Sequence, residues 1–334
     1  MKEINITLDN HIFPILAPKI TTLIRGLSYD KLRDLTEIRL RTHQPLLLRL
    51  GTDDTMVSTA GYLTNDYQQA YICTSDDIAR TFQLMSKNSI YALEQELKMG
   101  FITIAGGHRI GLAGQAIVNS GQLKAIKNIG SMNIRIAREV KGCANLILPY
   151  IIEGERHVLS TLIISPPRCG KTTVLRELIR YMSTRNHEKK YYGVQVGVVD
   201  ERSEIAACQN GVPTVDLGER VDVLDACPKS EGMLMLIRSM APQVIATDEL
   251  GRTEDADAIR EALNAGINII ATVHGRDVNE VSERPYIGDL ITGRFFDRYV
   301  VLTDRPQVGT VKEVTDVKTG NVLYTQRKED RSCG

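Results

Sequence analysis

The sequence predicts an α/β protein: a core built on a parallel sheet with a phosphate-binding loop, preceded by a smaller α+β amino-terminal domain. Three observations carry this. Ser165-Pro166-Pro167-Arg168-Cys169-Gly170-Lys171-Thr172-Thr173 joins an apolar, β-branched run to an amphipathic one. From about residue 155 strand-like and helix-like runs alternate, as parallel strands with right-handed crossovers require. Before about residue 145 strand-like runs follow one another through glycine-marked turns, which suits the hairpins of an antiparallel sheet.

In the amino-terminal part, candidate helices cover His11 to Gly26, Asp76 to Ser86 and Ser89 to Leu97. Strand-like runs are Glu37 to Arg41, Pro45 to Leu50, Phe101 to Ala105, Arg109 to Val118 and Leu123 to Ile129, with turn signals at Gly106-Gly107 and Ser120-Gly121. A boundary is expected near Leu146 to Gly154, where Pro149 and Gly154 punctuate an apolar segment. That gives domains of residues 1–150 and 151–326, then a charged tail, 327–334, expected to fray.

In the core, strand runs appear at His157 to Ile164, Gly193 to Val199, Gln243 to Thr247 and Ile267 to Val273. Helical runs intervene at Lys171 to Ser183, Ser230 to Met240 and Thr253 to Ala265. The last has Glu254, Asp255 and Asp257 near its positive end and stops at Gly266, a suitable C-cap. Tyr299 to Thr303, Thr310 to Val317 and Val322 to Thr325 finish the sheet or form an edge hairpin.

A chain of 334 residues suggests two domains, and 43% hydrophobic with 25% charged residues is globular composition. Lys+Arg and Asp+Glu both number 41, and this neutrality argues against nucleic acid as the main partner while leaving room for a local basic patch. No apolar run is long enough to span a membrane, and the start lacks the apolar core of a secretory signal. The cysteines at 73, 143, 169, 208, 227 and 333 form no C-x-x-C pair and read as free thiols in a reducing compartment. Cys169 stands apart: beside Lys171 and a helix N-terminus, it is expected to be unusually acidic and oxidisable.

The chemistry starts at the loop. The pattern G-x-x-x-x-G-K-[ST] asks for a turn whose N–H groups face a polyphosphate, a lysine on the β/γ-phosphates and a hydroxyl on Mg²⁺. Gly170, Lys171 and Thr172 fit, but Ser165 replaces the leading glycine. A serine suits that position only if its backbone avoids positive φ, because its Cβ penalises left-handed geometry. After Lys171, Val174, Leu175, Leu178, Ile179 and Met182 recur at helical spacing opposite Arg176, Glu177 and Arg180. The loop thus feeds a helix N-terminus that favours an anion, and a proline-rich turn with an incidental lysine is the weaker reading.

Hydrolysis also needs a second acidic site. Gln243 to Thr247 ends in Asp248-Glu249 on the ligand side of a parallel sheet, where Asp248 would join the Mg²⁺ shell and Glu249 would orient or deprotonate water. Ile267 to Val273 ends at His274, placed to report the γ-phosphate. Gly193 to Val199 delivers Asp200-Glu201-Arg202, then Ser203-Glu204, which either contact nucleotide or form a surface ion-pair cluster. Spacing alone does not choose between these. Arg135 and Arg138, just before the boundary, are candidates for an arginine that neutralises developing charge, against the plainer reading of a solvated face.

PPRCGKTT, DERSEI, VIATDEL and ATVHG, in that order, resemble the stage III sporulation protein AA family, in the secretion-ATPase branch of the AAA-like and RecA-like P-loop enzymes. EIRLRTHQPLLL, YALEQELKMGFITIAGGHRIGLAG and SMNIRIARE extend the likeness to about residues 10–320. The resemblance implies a cytoplasmic ATPase using ATP and Mg²⁺, a ring hexamer in the mother cell of an endospore former. It would energise a channel across the membranes around the forespore, docked on the cytoplasmic face of that membrane-bound complex. By resemblance the loop Ser165–Thr173 cradles phosphate, and Thr172 with Asp248 holds Mg²⁺. Glu201 and Glu204 fall in the family's acidic box, Glu249 in its second acidic motif, and His274 in its histidine box. Arg135 and Arg138 resemble the arginines that complete the site. Ser165 departs from the family's glycine, which bears on turnover more than on binding. Two other readings stay open: a RecA-like motor driven by nucleic acid, and a nucleotide-sensing scaffold with little turnover.

Overall fold

A computed structural model describes residues 7–51, 53–86, 100–119, 122–137 and 140–326. The chain divides into two compact units, Met1–Ala137 and Arg138–Gly334.

Unit one is built on β1 (Leu35–Arg41), β2 (Leu47–Leu50), β3 (Asp53–Val57), β4 (Leu63–Thr64), β5 (Phe101–Ile104), β6 (His108–Asn119) and β7 (Gln122–Arg135). They form one sheet in the order β4-β3-β2-β1-β7-β6-β5, with every pairing antiparallel. Period-two alternation puts Ile38 and Leu40 on the buried face of β1 while Arg41 is exposed. Register then aligns Leu48, Ile38, Ile134, Ile110 and Ile102 as one apolar row across five strands. The predicted Gly106-Gly107 hairpin is present, both residues taking positive φ (83° and 73°) that a Cβ would oppose.

The helices α1 (Pro18–Arg25), α2 (Tyr29–Asp34) and α3 (Ser75–Met85) cover the apolar face through Ile20, Leu23, Ile24, Leu32 and Ile78. The single helix expected over His11 to Gly26 is instead three pieces: a π turn Leu8–Ile12, a 3₁₀ turn Phe13–Ile15, then α1. Pro14 and Pro18 explain the breaks, since each lacks the N–H a continuous helix needs, and Pro18 opens α1 at its first turn. Thr74 caps α3 by accepting from the Asp77 N–H at 3.1 Å, and Asp77 returns the bond to the Thr74 N–H. The helix read over Ser89 to Leu97 and the turn at Ser120-Gly121 lie outside the described residues.

Unit two opens with α4 (Leu148–Ile151) and the two-residue strands β8 (Ile152–Glu153) and β9 (His157–Val158). The apolar segment read from sequence as the boundary packs into this unit: Ala144, Ile147, Leu148 and Ile151 are buried in its core. Its main strands are β10 (Thr161–Ser165), β11 (Val196–Asp200), β12 (Val221–Asp225), β13 (Val244–Thr247), β14 (Asn268–His274), β15 (Arg298–Thr303), β16 (Thr310–Asp316) and β17 (Val322–Thr325). The sheet order is β12-β11-β13-β14-β10-β15-β16-β17, parallel from β12 to β15 and antiparallel after it. The carboxy-terminal runs therefore both complete the parallel sheet and add an edge hairpin.

The helices are α5 (Lys171–Ser183), α6 (Lys229–Ser239), α7 (Thr253–Asn264), α8 (Val278–Ser282) and α9 (Ile287–Thr292). On one face Val174, Leu175, Leu178 and Ile179 of α5 pack on Ile163, Val198, Ala246 and Ile270. On the other, Met233 of α6 and Ile259 of α7 pack on Ile164, Val199, Ile245 and Ile269. Burial on both faces explains why these strands read as continuous apolar runs. Because the strands from β12 to β15 run parallel, their carboxyl ends share one rim.

Candidate functional site

Ser165 is the last residue of β10, in register with His274 at the end of β14. It is fully buried and extended, and its Oγ donates to the Pro166 carbonyl at 2.8 Å. The positive φ values of this loop fall instead at Arg168 (65°) and Gly170 (81°). The serine therefore meets no left-handed strain, and the missing leading glycine is not a defect of the turn. Ser165→Gly should leave nucleotide affinity unchanged within about twofold and lower stability by roughly 0.5–1 kcal/mol through chain entropy. Nucleotide titration and thermal melting of the two proteins check this. Gly170 is different: a Cβ there would press on Val308 and Gly309 at 3.2 Å, on top of its left-handed backbone.

The loop ends at α5, with Lys171, Thr172 and Thr173 in the first turn and no acid among them to repel an anion. Lys171 is buried, and its Nζ donates to the carbonyls of Ser165 (3.3 Å) and Pro166 (3.4 Å) and to His274 Nδ1 (2.8 Å). An ammonium can only donate, so Nδ1 accepts and His274 carries its proton on Nε2, which lies 3.5 Å from Glu249 Oε1. Burial lowers the Lys171 pKa, with the Glu249 charge opposing.

Asp248 and Glu249 follow β13 at the same rim. Asp248 is buried; among the described residues its Oδ1 has no hydrogen-bond partner, and Lys229 Nζ lies 3.6 Å from it. Burial pushes this carboxyl up, and Lys229 pulls it back. A buried carboxylate oxygen left without a donor is chemically suited to a cation. Glu249 is 41% exposed, its Oε2 3.3 Å from Arg202, and its backbone sits at φ 27°. Its N–H donates to Thr272 Oγ1 at 3.0 Å, which holds the unusual backbone in place. Lys171, Thr172, Thr173, Arg168, Gly170, Asp248, Glu249, Thr272, His274 and Glu204 line one open cleft of about 640 Å³.

The Asp200–Glu204 segment splits by role. Asp200 is fully buried and accepts from the N–H groups of Glu204 (2.8 Å), Ile205 (2.9 Å) and Ala206 (2.8 Å), folding the turn after β11 onto itself. Burial nonetheless raises its pKa to about 6. Glu201 hydrogen-bonds Lys229, which reaches toward Asp248, and lies 3.7 Å from Arg252, while Glu204 is among the residues lining the cleft. Asp200→Asn offers one acceptor oxygen where three N–H groups converge, so it should destabilise the protein by about 2–4 kcal/mol, measured by denaturant unfolding.

Pro166 supplies two carbonyl contacts, and Pro167 is exposed. The expectation of an acidic Cys169 thiol fails. The side chain is buried with Sγ 3.6 Å from the Pro167 carbonyl, and burial with Asp304 raises its pKa against the pull of Lys171. Arg135 ends β7 in unit one, where its Nε lies 3.9 Å from Glu37. Arg138 lies outside the described residues.

Two contributors escape sequence reading. Thr272 was one polar residue in an apolar run, though it shares a strand face with His274 two positions on. Lys229 is a buried cation at the first position of α6, where the helix dipole disfavours it. That misplacement was the available signal: Glu201 and Asp248 compensate it.

A family model for "Sporulation stage III, protein AA" matches residues 7–323. The chain belongs to that family. Stage III sporulation protein AA of Bacillus subtilis (strain 168) is 42% identical over 314 residues, 94% of this chain and 97% of the relative. Among solved structures, the Legionella pneumophila ATPase DotB aligns with a TM-score of 0.54 at 15% identity, over 86% of this chain and 77% of that one. The pilus retraction motor PilT with bound ADP gives 0.53 at 13%, over 91% and 85%. The chain thus shares the fold of DotB and PilT, the RecA-like class that the motifs predicted.

Proposed function

We propose that this family member hydrolyses ATP with Mg²⁺ and that its turnover, in a cytoplasmic ring of six subunits, energises a channel between mother cell and forespore. The observation that carries the catalytic part is the convergence of Lys171, Asp248, Glu249 and His274 on one cleft beside a helix N-terminus. Membership of a sporulation family supports the setting. A fold shared with DotB, an ATPase, and with PilT, which binds ADP, supports the nucleotide.

In this reading the loop N–H groups and the start of α5 hold the phosphates, and Lys171 exchanges the Ser165 and Pro166 carbonyls for them. Thr172 and Asp248 would hold Mg²⁺, whose charge offsets that of the phosphates. Glu249 accepts a proton from the attacking water as the γ-phosphorus to bridging-oxygen bond breaks, giving ADP and phosphate. His274, relieved of Lys171, turns its Nε2–H to the γ-phosphate. The amino-terminal part and the ATPase part, expected from sequence to meet near residue 150 but dividing after Ala137 in the structure, act as separate domains, and Arg135 and Arg138 are our candidates for the charge-neutralising arginine.

Steady-state phosphate release against protein concentration, with mass determined plus and minus nucleotide, tests the ring. The rate per subunit should climb as the mass rises to that of an oligomer. A flat rate from a species that stays monomeric contradicts shared sites. ATPase activity that instead requires single-stranded nucleic acid favours the motor reading.

A further inference from the structure

Lys229 sits where a lysine is costly. It is 6% exposed, and it occupies the first position of α6, whose dipole repels a cation. Two carboxylates face it, Glu201 and Asp248, and Asp248 is itself only 6% exposed.

The two carboxylates stand differently toward this cation. Glu201 accepts a hydrogen bond from Lys229 and has a second cation, Arg252, at 3.7 Å. Asp248 feels the like charges of Glu204 and Glu249, and the opposite charges of Lys229 and Arg202. Of these two cations, Arg202 is 53% exposed and lies 3.3 Å from Glu249. The buried cation that offsets Asp248 is therefore Lys229.

The distance between them is informative. Lys229 Nζ lies 3.6 Å from Asp248 Oδ1, near enough to offset charge and too far for a hydrogen bond. Among the described residues this oxygen has no hydrogen-bond partner. A buried ion pair that serves stability closes both together, because a lone pair left unmet costs free energy. Here the charge is offset while the lone pairs of Oδ1 stay available. A divalent cation arriving alone meets the ammonium as a like charge. Arriving with a triphosphate, it comes with an excess of negative charge that outweighs that repulsion.

We propose that Lys229 is a positioning residue acting through Asp248: it offsets the carboxylate's charge and turns away free divalent metal, so that Mg²⁺ enters the cleft only with nucleotide. This role rests on Asp248 belonging to the Mg²⁺ shell, as in the ATPase reading. Binding of Mn²⁺ to the full chain, read from the paramagnetic resonance signal of free Mn²⁺ with and without a non-hydrolysable ATP analogue, tests it. Wild type should take up Mn²⁺ in the micromolar range with the analogue and bind it alone only beyond about 1 mM. Lys229→Gln keeps a donor for Glu201 and drops the charge. It should bind Mn²⁺ alone at least about tenfold more tightly than wild type. Mn²⁺ alone should then raise the melting temperature of this variant and leave that of wild type unchanged. Lys229→Arg, with the charge kept, should behave as wild type, and adding Asp248→Asn to Lys229→Gln should remove the gain. If the glutamine variant does not fold, Lys229→Met carries the same expectation. A purely structural lysine would change melting without metal and leave Mn²⁺ affinity alone. Wild type that binds Mn²⁺ as tightly without the analogue as with it, or a folded neutral variant with no gain, overturns the proposal and leaves the ATPase reading standing. Wild type that takes up no Mn²⁺ even with the analogue removes that reading, and the proposal with it.

Discussion

Glu249→Gln should retain Mg·ATP affinity within about threefold of wild type while hydrolysis falls by about 10²–10⁴-fold, the usual worth of a positioned general base. Its backbone N–H is held by Thr272 Oγ1, and its carboxylate lies between Arg202 at 3.3 Å and His274 at 3.5 Å. Glutamine keeps the volume, the backbone bond and an acceptor for Arg202, so the change is confined to basicity. Neutralising one carboxylate should not weaken, and in principle favours, the approach of a polyanion. Phosphate release in a single turnover, set beside equilibrium binding of the same preparation, separates the two steps. Wild-type turnover by this variant would place the base elsewhere.

Lys171→Ala should weaken nucleotide binding at least about 100-fold, since charge-assisted bonds to two phosphates are lost and each is worth roughly 1.5–3 kcal/mol. The free protein should melt near the wild-type temperature. Burial already lowers the pKa of this lysine, so holding it charged costs free energy that alanine avoids, which offsets the loss of its carbonyl contacts. The variant should instead lose the rise in melting temperature that nucleotide gives wild type. Thermal melting across a nucleotide series reads both effects. An unchanged ligand-induced shift would remove Lys171 from the site.

Much of the second unit was legible because burial on both faces of a parallel sheet writes itself as apolar runs, as in β10, β13 and β14. The rim residues Asp248, Glu249 and His274 were legible because they end such runs, and Lys171 because it sits in the loop pattern that follows one. β12 was missed: Val221-Asp222-Val223-Leu224-Asp225 is an edge strand of half-buried residues, and its aspartates look like loop. Thr272 and Lys229 were missed because their importance arises from contacts made across the sheet, with Glu249 and with Glu201 and Asp248. Cys169 was misjudged because proximity to Lys171 was legible while its burial was not. β7 runs on to Arg135, past the Leu123 to Ile129 run read from sequence, because Gly130 and Ser131 look like a turn while the pairing of Ser131 to Arg135 with neighbouring strands keeps the chain extended.

The most direct test is calorimetric titration of the intact chain with ATP in the presence and absence of Mg²⁺. A single site with a dissociation constant in the micromolar range, weakened when Mg²⁺ is withheld and abolished by Lys171→Ala, is the predicted result. A folded wild-type protein that takes up no Mg·ATP at about millimolar concentration contradicts the account.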